Sequence, residues 1–152
     1  MLRVAKGATG FWTSGRRPLP ETDLSAFRSA CFAAARRVHG QVADETGPAA
    51  ASFRSVGITE DGRVRGVLCH VRLPYVAFVS GSLRPGEPLP SFGDPPGWAN
   101  RFTAVGLRVL GTTELLTPLG ELDLSELAPA ELTQVRYWRP ESLGELLFNR
   151  WD

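Results

Sequence analysis

Two runs of strand character, ASFRSVGIT and RVRGVLCHVRL, flank Glu60-Asp61-Gly62, and an Asp-Gly pair between such runs is a strong hairpin signal. In the second run Val67, Cys69, Val71 and Leu73 share one face, and Val64, Gly66, Leu68 and His70 share the other. A strand apolar on both sides is a central strand, so cover is needed above and below it. YVAFVSG follows Pro74 closely enough to extend the hairpin into a three-stranded meander. The remaining elements must therefore supply two layers.

The first cover is a helix in the N-terminal half. Leu24, Phe27, Cys31, Ala34, Val38 and Val42 recur every three or four residues, one buried stripe of an amphipathic helix. Thr22 is its expected N-cap, with Asp23 in the positive first turn. Gly40, or ETGPAA just beyond it, ends it. Short strands are expected around Leu2–Ala5 and Gly10–Thr13. After the meander, SLRPGEPLPSFGDPPGW carries five of the twelve prolines and reads as a long irregular loop. Asp94 then opens a helix over GWANRFTAV. LRVL is a short strand, TTELLTPL a turn of helix and LDLSEL an acidic connector. Pro129 starts the helix PAELTQVRYW, and Pro140 starts the last one, PESLGELLFNRW. The order predicts an α+β fold, with a long helix, a central antiparallel meander and C-terminal helices packed on the sheet. With 152 residues and 43% hydrophobic content, one globular domain over 1–152 is expected.

Neither a signal peptide nor a membrane-spanning run is visible, so a cytoplasmic protein is expected. Cys31 and Cys69 are too far apart in sequence to mark a disulfide framework. Formal net charge is +1, but residues 1–72 hold 11 Arg/Lys against 6 Asp/Glu, and residues 73–152 hold 6 against 10. The acidic excess gathers at Glu114, Glu121, Asp123, Glu126, Glu131, Glu141 and Glu145. Solvated helix faces are the common origin of such clusters; the functional alternative is a face that meets a basic partner. Arg36–Arg37 and the hairpin arginines Arg54, Arg63, Arg65 and Arg72 could serve nucleic acid, which ranks below a protein partner beside so acidic a second half.

Catalytic signals are weak. His39 and His70 are the two histidines, and the adjacent Cys69 and His70 point to opposite faces of a strand. Cys31, His39, Cys69 and His70 lack the paired spacing of a zinc site, so no metal is expected. Nucleophile-elbow, phosphate-loop and dinucleotide fingerprints are missing, and no cofactor is expected.

The tail RYWRPESLGELLFNRWD, with DLSELAPAEL before it, resembles a group of small uncharacterised actinobacterial proteins that end in the same Tyr-Trp-Arg-Pro, Gly, Phe-Asn and Trp-Asp pattern. The likeness covers the last third of the chain. Proteins of this size and style are similar to the immunity proteins of bacterial toxin systems. That resemblance implies an inhibitor that occludes a cognate toxin, with a basic toxin domain as partner. The expected contact is the acidic segment through Glu121, Asp123, Glu126 and Glu131. A small hydrolase or transferase with its site near Cys69 and His70, and an adaptor or secretion chaperone using the proline loop, are the alternatives. The residues of the tail themselves read as a structural latch made of Trp138, Pro140, Leu143, Leu147, Phe148 and Trp151. Leu143, Leu147 and Trp151 would share one helical stripe, so Trp151 is expected to be buried.

Overall fold

The computed structural model describes residues 2–11, 21–45, 51–84 and 87–151. Its centre is the expected meander: β3 (Phe53–Glu60), β4 (Arg63–His70) and β5 (Tyr75–Val79), with Glu60 paired to Arg63 across the hairpin. Asp61 and Gly62 both take positive φ, the backbone that an Asp-Gly turn supplies. Three short strands extend this sheet. β2 (Val42–Glu45) pairs with β3, β6 (Phe92–Gly93) pairs with β5, and β7 (Arg108–Val109) runs parallel to β5. A separate parallel pair joins β1 (Leu2–Arg3) to β8 (Leu122–Asp123).

Both faces of the sheet are covered. Val56, Ile58, Val67, Cys69, Val76 and Phe78 pack against helix α1 (Leu24–Arg37), against Trp98 of a 3-10 turn and against Phe102 of the short helix α2 (Asn100–Thr103). Phe53, Leu68, Ala77 and Val79 face the other way, against α3 (Thr112–Leu115), α4 (Pro129–Trp138) and α5 (Leu143–Leu147). The two-sided character of β4 thus comes from an α+β arrangement with helices on both faces.

Local details differ from the sequence reading. Asp23, not Thr22, caps α1 by accepting from the Ala26 N–H at 3.0 Å; Thr22 instead bonds Val71 and Leu73. The helix stops at Arg37 with His39 left-handed, so Val42 opens β2 instead of continuing the stripe. Gly40 permits that reversal, because a side chain there would collide with the Thr59 carbonyl oxygen. β4 ends at His70, so Leu73 leaves the Val67–Cys69 face and packs on the opposite core. Asp94 opens no helix. It accepts from Thr112 Oγ1 at 2.6 Å, while a 3-10 turn at Gly97–Ala99 leads into α2 (Asn100–Thr103). Residues 10 and 11 form no strand, and positions 12–13 of that expected strand lie outside the described residues.

A buried polar cluster ties the chain together. Glu131, fully buried, accepts from Gly7 N (2.9 Å), Thr9 N (3.1 Å), Thr9 Oγ1 (2.7 Å) and Ala128 N (3.2 Å). His70 bonds the Ala8 carbonyl, and Asn149 Nδ2 donates to Thr9 O at 3.0 Å. Ser52 Oγ donates to Leu147 O at 2.6 Å and accepts from Asn149 N at 2.9 Å. One short N-terminal turn is therefore held by α4, β4 and the tail at once.

Of the six tail residues expected to form a latch, four pack inward, but Trp138 is exposed and Trp151 does not sit at the heart of that packing. Leu143, Leu147, Phe148 and Pro140 are buried, and Phe148 packs edge-on to Phe53 and His70 at 6.1 Å each. α5 ends at Leu147, so the helical stripe never reaches Trp151, which is only half-buried. Phe148→Ala should cost about 3–5 kcal/mol in a denaturant titration, the range for a buried aromatic. Trp151→Ala should stay folded and cost about 1 kcal/mol, as partial burial dictates. Glu131→Gln keeps one acceptor but turns an amide N–H₂ towards donors, and should cost about 1–3 kcal/mol by the same measurement.

Candidate binding groove

Cys69 and His70 lie on opposite faces of β4, as strand geometry requires, and both are fully buried. Cys69 sits in the core beneath α1, where burial pushes its thiol up to about 12. A thiol that stays protonated is a poor nucleophile. His70 has no free ring nitrogen. The N–H groups of Arg72 and Leu73, each at 3.0 Å, can only donate to Nδ1, so Nε2 carries the proton and donates to Ala8 O at 2.7 Å. Both side chains are structural in this arrangement. Cys31 is a second buried thiol, outside any disulfide, in the core with Cys69. Among the described residues, no group of three or more His, Cys, Asp or Glu side chains is placed to hold a metal ion. No described helix is long and apolar enough to cross a membrane.

The acidic segment divides. Glu121 and Glu126 are exposed, and Asp123 is partly so. Asp123 lies 3.8 Å from Arg3 and accepts from Ser125 N, and the Ser125 hydrogen bonds hold its carboxyl below the usual range, with Arg3 adding a smaller pull. Glu126 reaches the same arginine at 4.0 Å. Glu131 is corrected outright: its carboxylate is spent on the buried turn and meets no solvent, so it cannot touch a partner. The candidate arginines fall in separate places, with Arg54 and Arg72 lining one cleft and Arg63 and Arg65 another. Arg36 and Arg37 end α1, Arg72 pairs with Glu21 at 3.4 Å, and Arg65 bonds Asp94 O.

What the fold does assemble is a trough of about 700 Å³ between the tail and the proline loop. Pro88, Pro90 and Phe92 form one wall; Leu116, Trp138 and Trp151 form much of the other. The two indoles lie parallel, 4° apart in plane with centroids 6.1 Å apart, and Trp138 Nε1 donates to Gln134 Oε1. Tyr137 stands edge-on to Trp138 at 5.1 Å. Leu116 is 60% exposed, Tyr137 76% and Trp138 40%, an apolar patch at the rim. Glu141 and Glu145 line the same rim, with Arg139 as a lining cation.

The walls are fixed by what lies beneath. Gly144 lets α5 approach β6, since a side chain there would strike the Phe92 ring. Arg150 donates to Glu87 O at 2.9 Å, tying the tail to the loop. Leu119 N bonds Glu141 O and Leu143 N bonds Thr117 O, which sets the start of the acidic segment beside the rim. The proline loop and the tail aromatics were both visible in the sequence; their meeting was not, and Leu116 carried no signal at all. No family model matches the chain, and no curated protein or solved structure matches it.

Burial of neutral His70 makes stability pH-dependent. Its ordinary pKa of 6.5 falls to about 4, chiefly through desolvation, with the Ala8 bond opposing and the Arg72 charge adding. Above pH 6.5 the ring is neutral folded or unfolded, and full stability is present. As pH falls towards 4 the unfolded chain takes up a proton that the native state refuses, so stability is lost across that window. Denaturant titrations from pH 7 to 4 should show a loss of about 3 kcal/mol from this group. His70→Asn, which keeps an acceptor near Nδ1, should flatten that slope; an unchanged slope would assign the loss to carboxylates.

Proposed function

We propose that this chain is a protein-binding protein, an immunity-type inhibitor that occludes a cognate bacterial toxin in the manner of an antitoxin. The observation that carries this reading is where the chemistry lies. Cys31, Cys69 and His70 are sealed in the core and His39 stands apart from them at the surface, whereas Leu116, Tyr137 and Trp138 stand exposed on a braced rim. Exposed aromatic ground on a stiff support is how binding hot spots are built, since little ordering entropy remains to be lost. The neighbouring carboxylates Glu121, Glu141 and Glu145 suit a basic partner and would speed its approach. Contact is placed at the groove, and the acidic segment through Glu121, Asp123 and Glu126 steers.

The partner to test is the product of the gene beside this one. Co-expressed, the two should form a stoichiometric complex in which the partner's activity is suppressed. Trp138→Ala should weaken the complex about thirtyfold or more, the loss expected for a central aromatic anchor, with unfolding close to wild type. Glu121→Lys with Glu126→Lys should chiefly slow association, and added salt should slow the wild type. A complex indifferent to Trp138 and to salt would place the interface elsewhere, and a neighbour that neither binds nor is inhibited would remove the inhibitor reading.

A further inference from the structure

Three routes run from His70 to the tail, and all of them end on Phe148 or Asn149. Across the N-terminal turn, Nε2 donates to Ala8 O, and the next carbonyl, Thr9 O, accepts from Asn149 Nδ2. Just past β4, Val71 N donates to Ser52 O, while Ser52 N donates to Asn149 O and Ser52 Oγ accepts from Asn149 N. The third route is direct: the imidazole stands edge-on to the Phe148 ring at 6.1 Å. Two residues beyond Asn149, Trp151 lies against Trp138 and walls the groove. From this connection we infer that the tail is held by a proton-operated catch: mild acid expels the His70 ring, and the segment from Phe148 to Trp151 lets go while the central strands stay paired.

Hydrogen-bond geometry makes His70 the trigger. Nε2 spends its proton on Ala8 O, and Nδ1 accepts two N–H groups, from Arg72 and Leu73. A proton added to Nδ1 would point at both donors and leave them unpaired. The ring must leave before it can be charged. The nearby charges are Arg72, which adds repulsion, Arg54 on β3, and Arg150 of the tail, which lies over Phe53, the residue paired with His70. Glu131 is engaged by four donors, Tyr75 is the ionisable group from β5, and α5 turns Glu145 to solvent. The turn from Gly7 to Phe11 carries no ionisable side chain. What gives way is the weakly held part: β1 pairs over two residues, and the chain beyond Leu147 has left its helix, whereas β3 and β4 pair over eight. Released, the ring regains its ordinary 6.5 in place of about 4, so the open form gains about twentyfold between pH 7 and pH 5. Carboxylates, which ordinarily titrate at about 4, contribute little in that window.

Native-state hydrogen exchange on the whole chain tests this, amide by amide and corrected for the intrinsic rate at each pH. The amides of Ser52, Phe148 and Asn149 should exchange at least about tenfold faster than those of β4 and β5, the mark of opening short of unfolding. Their protection should fall about twentyfold from pH 7 to pH 5. His70→Asn should abolish that fall. Should the variant not fold, the wild-type curve decides, because a bend at about pH 6.5 belongs to a histidine and His39 is already exposed. Tail protection that stays level from pH 7 to pH 5 would overturn the catch, as would a tail that exchanges only as slowly as the central strands. The consequence for binding rests on the groove as the docking site, and a separate arm tests it. The product of the neighbouring gene, once bound, should slow tail exchange at pH 5. If the pH dependence is as expected but that partner leaves tail exchange unchanged, the docking site fails and the catch stands.

Discussion

One buried carboxylate organises this molecule. Glu131 has no water to solvate it, and an uncompensated charge in that position would be far too costly to keep. Four donors around it meet that demand, three of them from Gly7 and Thr9. The turn they belong to has little apolar surface of its own, and it is ordered because α4 needs its N–H groups as much as it needs the carboxylate. With that turn fixed, its remaining carbonyls become anchor points: Ala8 O for His70 and Thr9 O for Asn149.

The groove inherits its rigidity from this arrangement. Asn149 joins the turn to the tail, and Ser52 joins the tail to β3, so the chain between Phe148 and Trp151 has little freedom. Trp151 is consequently left half-buried and lies parallel to an indole from α4. The anchored segment and the groove wall are then adjacent parts of one tail: Phe148 and Asn149 hold it down, while Trp138 is exposed and Trp151 half-buried beside it.

Local chemistry was the legible part. The Asp-Gly hairpin, the α1 stripe and Pro129 at the head of α4 each announce themselves within a few residues, and the two-sided β4 foretold cover on both faces. What depended on distant pairing was hidden. Val42 fits a helical period as well as a strand, and only its pairing with Ile58 decides between them. Glu131 looks like any other acid in an acidic stretch, because nothing near it in sequence reveals donors at Gly7 and Thr9. Trp151 looked buried because a helical period was carried past Leu147, where bonds from Asn149 to distant partners end the regularity. The groove was hidden for the same reason: its walls lie far apart in sequence and meet through Gly144, Phe148 and Arg150.

The span of the Thr9–Asn149 bond, 140 residues, bears on how the protein is made. A growing chain exposes Gly7 and Thr9 well before their acceptor on Glu131 and the clamp at Asn149, which follow at least 122 residues later. The hairpin and α1 can form while the ribosome is still working, since their contacts are close in sequence. The hub cannot. Until residue 149 leaves the exit tunnel, one face of the sheet lacks its full cover of helices, and that face is the sticky one. Completion of the fold thus waits for groups at least 122 positions downstream of the turn, and the interval before it is when the chain most needs a chaperone.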